Sequence, residues 1–134
     1  MNPEHIKGLV RRCDDEIATL ERRLAAVKKP SSRKSLYIGL RLGWMDVRRQ
    51  ILDMALGQVV TQEMMDRLYF NLVAGSNACY TCADRMGGGE IPLSPRRDVR
   101  GRVQNVTLEK AQGDVLRDMA AYLIQKGLCT ITVQ

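Results

Sequence analysis

Two ladders of apolar residues flank one short turn, and together they fix the first half of this chain. The first is Ile6, Val10, Cys13, Ile17, Leu20, Leu24, Val27; the second is Tyr37, Leu40, Trp44, Val47, Ile51, Met54. Both climb by alternating threes and fours, the spacing that keeps one seam of a helix turned toward a partner. Laid antiparallel they fall into register, with Leu20 level with Leu40, Ile17 with Trp44 and Cys13 with Val47. The flanking charges agree with that register without having been used to set it: Glu21 falls opposite Arg41, and Asp14 opposite Arg48. Residues 1–57 are therefore expected to form a helical hairpin.

Helix boundaries follow from capping chemistry. Asn2 before Pro3 is an N-cap followed by a proline at the first helical position. The first helix runs to about Val27, and KKPSSRKS is the turn. Ser31 or Ser32 caps the second helix, which runs to about Leu56 and stops at Gly57. Thr61 caps a third helix, ended near Ala74 by Gly75. Ser76 opens a short fourth from Asn77 to Met86, closed by Gly87, Gly88 and Gly89. Residues 90–105 carry Pro92, Pro95 and several arginines and are expected as a loop. Thr107 caps a last helix, 108–126, whose Leu108, Ala111, Val115, Leu116, Met119, Tyr122 and Leu123 make one apolar face.

The β-rich ends of this half, 102–106 and 128–133, are expected as short strands that pair with each other or with another subunit. The fold class is thus mainly α: a single domain over 1–134, made of the hairpin 1–57 and a helical lobe 61–134 with a small β element. Leu9, Leu36, Leu42, Met45 and Leu52 lie off the hairpin seam and need cover from the C-terminal half or from another copy, and a homo-oligomer is expected.

Composition narrows the class of function. Hydrophobic residues make up 45% of the 134 and charged ones 27%, which supports a packed core and excludes a disordered chain. No apolar run is long enough to span a bilayer, and the first residues lack a signal-peptide core, so a cytoplasmic protein without a membrane partner is expected. The four cysteines are then thiols or metal ligands rather than disulfides.

Cys79 and Cys82 form CYTC, the one pair spaced to share a metal. A structural zinc needs four ligands. His5, Cys13 and Cys129 are scattered and offer no second pair, so the cysteines are assigned to packing, and no cofactor is expected. The chain has no P-loop, GxSxG, HExxH or GxGxxG, and its single histidine has no partner in view. No catalytic constellation emerges.

What remains is charge. The net charge is +6. Between Arg22 and Met45 stand seven basic residues and no acid. Arg41 is spoken for by Glu21, as Arg48 is by Asp14. Lys28, Lys29, Arg33 and Lys34 at the hairpin tip have no acidic neighbour in sequence. A second cluster, Arg96, Arg97, Arg100 and Arg102, is balanced only by Asp98. Basic clusters of this kind fit phosphates or carboxylates. Aromatic residues are only 4%, and Tyr37, the one near the tip, belongs to the seam, so base stacking is not supported. These residues are expected to carry a non-enzymatic regulatory or accessory function, by binding nucleic acid or a nucleoprotein complex. The alternative is a protein-only adaptor or inhibitor using the same residues against an acidic surface, or a helix face against an apolar one.

Overall fold

The computed structural model describes residues 2–87 and 99–131. It consists of four helices, α1 (Pro3–Ala26), α2 (Ser32–Ala55), α3 (Gln62–Gly87) and α4 (Val99–Gln125), in a bundle-like arrangement with no strand among the described residues. Three of the caps read from sequence hold. The Asn2 side chain accepts from the Glu4 N–H at 2.9 Å, Ser31 from Lys34 at 3.1 Å and Thr61 from Met64 at 3.2 Å. Gly57 and Gly127 take positive φ, both +66°. At Gly127 this closes a Schellman turn: Leu128 N–H donates to the Leu123 carbonyl and Gly127 N–H to the Ile124 carbonyl.

The hairpin is present in the expected register. Arg48 Nε lies 2.6 Å from Asp14 Oδ1, and Arg41 Nε 3.4 Å from Glu21 Oε1. Each pair is partly exposed and adds only ~0.2–1 kcal/mol. The seam beneath, with Ile6, Cys13, Leu20, Trp44, Val47 and Ile51 buried, dominates at ~1.5–3 kcal/mol per large side chain.

The second half differs from expectation in three places. The break at Gly75 does not occur: α3 runs unbroken from Gln62 to Gly87. Gly75 and Ser76 face α4 instead of ending a helix. A Cβ on Gly75 would lie 3.1 Å from Leu116 Cδ1, and the buried Ser76 hydroxyl donates to the Gly113 carbonyl at 2.9 Å. The strand expected at 102–106 is helical, because α4 begins at Val99, so Thr107 lies inside the helix and 99–105 is not loop. The strand expected at 128–133 is also not formed at 128–131, where the chain turns beneath α3. Asp66 accepts from both the N–H and the hydroxyl of Thr130, and Gln62 donates to the Leu128 carbonyl at 3.0 Å. These bonds supply the partners a neighbouring strand would have given. The rest of that expected strand, and residues 90–98 of the expected loop, lie outside the described residues.

Helix α1 packs on α2, α2 on α4, and α4 on α3. The central contact, α2 on α4, is made by glycine. A Cβ on Gly39 would run into the carbonyl oxygen of Leu108 and lie 2.9 Å from Ala111 Cβ; one on Gly43 would sit 2.7 Å from Val115 Cβ. The two backbones are therefore closer than any side chain permits. Both partners advance together along the sequence, from 39 to 43 and from 108 to 115, so α2 and α4 run parallel. One buried cluster joins both halves, from Ile6 and Trp44 to Met65, Leu72, Leu116 and Leu123.

Candidate polyanion-binding end

The parallel packing of α2 and α4 decides where the basic residues go. Ser32, at the start of α2, lies about two turns before Gly39. Arg100 and Arg102, in the first turn of α4, lie about two turns before the Leu108–Ala111 stretch that Gly39 touches. The hairpin tip and the start of α4 are consequently at the same end of the bundle. α3 runs antiparallel to α4: a Cβ on Gly113 would meet Cys79 and Tyr80, and one on Gly87 would lie 4.0 Å from Val106. Its C-terminus therefore reaches that end too.

At the tip, Lys28, Lys29 and Arg33 are exposed and Lys34 is half-buried. Among the described residues none of these four has an acid within ion-pair distance, whereas Arg41, Arg48, Arg49, Arg67 and Arg117 all do. Arg22 donates to the Thr19 hydroxyl, and the Arg23 guanidinium lies 5.8 Å from the Tyr37 ring centroid. That half-buried ring is thus covered and is no platform for a base. Arg96 and Arg97 lie outside the described residues. Arg100 and Arg102 are placed only as positions on the first turn of α4.

Two of the cysteines, Cys13 and Cys79, are buried and held as thiols. Burial pushes the Cys13 thiol up to about 11, helped by Asp14 beside it. It pushes Cys79 up to about 11 as well, with Glu109 and Asp46 adding to the effect. A thiolate nucleophile needs the opposite shift. Among the described residues, no three His, Cys, Asp or Glu side chains converge as metal ligands. Glu109 has its carboxyl pKa raised by burial alone.

The thiol shifts have a consequence for stability. A thiol whose folded pKa is raised favours the folded state fully below the unfolded value, near 9.0, and loses that contribution as pH climbs toward 11. Stability is expected to fall through this window. Cys13→Ala is expected to flatten the fall, as read by urea midpoints at stepped pH.

Sequence reasoning found the tip but missed the glycines that bring the clusters together. The signal was available: Gly39 and Gly43, four apart on one helix face. Comparison with known proteins adds no relative: no family model, curated protein or solved structure matches the chain. No helix among the described residues is long and apolar enough to cross a membrane.

Proposed function

We propose that this chain is a non-enzymatic regulatory or accessory protein that binds nucleic acid, or a nucleoprotein complex, through the basic end of its bundle. The observation that supports the reading is the convergence of two sequence-distant basic clusters. Lys28, Lys29, Arg33 and Lys34 share an end with the α4 turn bearing Arg100 and Arg102 because α2 and α4 run parallel. Binding of this type draws its free energy from release of counterions held by the phosphates, and it carries little sequence preference. With Tyr37 covered, the phosphate backbone of a duplex is a better match than a stacked single strand.

The lack of an aromatic platform also favours a second reading, in which the same end meets an acidic protein surface. Titration by fluorescence anisotropy separates them, using labelled duplex DNA, duplex RNA and poly-glutamate. The first reading expects duplex binding that weakens steeply with salt. The second expects poly-glutamate to bind at least as tightly as either duplex. In both, the combined Lys28→Glu, Lys29→Glu, Arg33→Glu and Lys34→Glu variant is expected to lose about 100-fold in affinity at low salt. Its melting temperature should stay near that of the parent, because all four side chains lie outside the seam. Retained affinity in that variant would remove the electrostatic basis of both readings.

A further inference from the structure

Helix α2 carries a second heptad frame on the face turned away from the core. Ile38, Leu42, Met45, Arg49 and Leu52 step by four, three, four and three, offset from the seam that packs on α1. The apolar members stay partly exposed in the folded chain: Leu42 is 39% exposed, Met45 42% and Leu52 38%, with Ile38 half-buried. Exposed apolar residues are ordinary when scattered. A run at coiled-coil spacing along one continuous helix is not scattered.

The flanks say what covers it. In this frame Arg41 and Arg48 hold the g positions, and Asp46 and Asp53 hold the e positions. In a parallel two-stranded pair, each g residue faces the e residue five positions further along the partner. Arg41 then faces Asp46 of the partner subunit, and Arg48 faces Asp53 of the partner subunit. Both pairs are opposite in sign, and the two-fold axis repeats both. An antiparallel pair sets each flank against itself and would bring Arg41 toward the partner's Arg48. The charge pattern is therefore complementary to itself in one orientation only.

Arg49 occupies an a position, where a polar residue limits a coiled coil to two strands at a cost in stability. Its guanidinium is held by its own helix, 2.5 Å from Asp46 and 3.3 Å from Asp53. Arg41 and Arg48 already touch Glu21 and Asp14 of α1, but a guanidinium fork has donors enough to bridge two carboxylates. The helix is preformed by the bundle, so a frame this short need not supply its own folding free energy.

The geometry points to a second copy of this chain as the occupant: a parallel two-fold dimer through the outer face of α2. This inference does not depend on the binding reading above. Its consequence for that reading is that both basic ends would lie side by side at one end of the dimer, as a bivalent surface.

Sedimentation velocity across the micromolar range tests it. The parent is expected to dimerise with rising concentration. Leu42→Glu with Leu52→Glu is expected to stay monomeric with an unchanged melting temperature, since both residues are surface-exposed. Arg49→Leu is expected to tighten the dimer by 10-fold or more. Orientation is read by oxidative cross-linking. Leu52→Cys alone should form a covalent dimer, because equivalent d positions meet across a parallel axis, while the parent should not. A parent that remains monomeric throughout would overturn the proposal. So would cross-linking that requires Leu42→Cys on one copy and Leu52→Cys on the other, which is the antiparallel signature.

Discussion

Gly39→Leu is expected to cost the protein more than ~3 kcal/mol, a large part of the ~5–15 kcal/mol that holds a domain of this size folded. The first carbon of any side chain at this position meets the carbonyl oxygen of Leu108, which belongs to the α4 backbone and cannot rotate aside. Overpacking of a core by a methylene or so already costs ~1–3 kcal/mol. A whole leucine must push α2 and α4 apart along their common length. Helix propensity works the other way, since replacing a mid-helix glycine gains up to ~1 kcal/mol, and it is too small to compensate. Gly8→Ala is the matched control. Its added carbon meets nothing within 4 Å, so it is expected to raise stability by ~0.5–1 kcal/mol. Urea unfolding followed by far-UV circular dichroism measures both. If the two substitutions shift the midpoint in the same direction, the close α2–α4 contact is wrong.

Trp44→Ala is expected to cost ~3–5 kcal/mol. Trp44 is 7% exposed and sits where the hairpin meets the second half. The Arg12 guanidinium of α1 lies 5.4 Å from the Trp44 ring centroid and 4.2 Å from that of Tyr122 on α4. One cation of α1 thus lies over rings on both α2 and α4. Removing the indole opens a large cavity and takes away one of the two faces that Arg12 rests on. Arg12→Ala leaves the cavity filled and is expected to cost only ~0.5–1 kcal/mol. The contrast separates packing from cation–π attraction. Circular dichroism is the right observable, because Trp44 is the sole tryptophan and its loss removes the fluorescence signal.

These two residues also show what was legible in the sequence. Trp44 belongs to a heptad ladder, and heptads report their partner directly, so the hairpin and its Asp14–Arg48 and Glu21–Arg41 register could be read in advance. Gly39 and Gly43 share one helix face, four apart, but that spacing does not name the partner. A glycine inside a helix reads locally as a weakness or a stop, which is why Gly75 and Ser76 looked like a helix end and a cap. Their real role, letting α4 approach, exists only once α4 is in place. The strand expected at 102–106 failed for a related reason: Val103 and Val106 fit a strand locally, while the long helix that includes them is sustained by its packing further along. The candidate site divides in the same way. The tip was visible as four basic residues without acids. Its union with the α4 arginines was not, because it depends on the parallel direction of two helices that are separated in sequence by a third.

The salt dependence of duplex binding tests the central claim, that the two basic clusters form one polyanion-binding end. The logarithm of the binding constant falls with the logarithm of salt concentration by ~0.9 per neutralised phosphate of B-DNA. The account predicts a steep slope for the parent, a slope reduced by ~3–4 when Lys28, Lys29, Arg33 and Lys34 are reversed, and one reduced by ~1–2 when Arg100 and Arg102 are reversed. Reversal of all six should abolish measurable binding. A slope that the Arg100 and Arg102 reversal leaves at the parent value would contradict the shared end, and a parent affinity indifferent to salt would contradict the electrostatic account altogether.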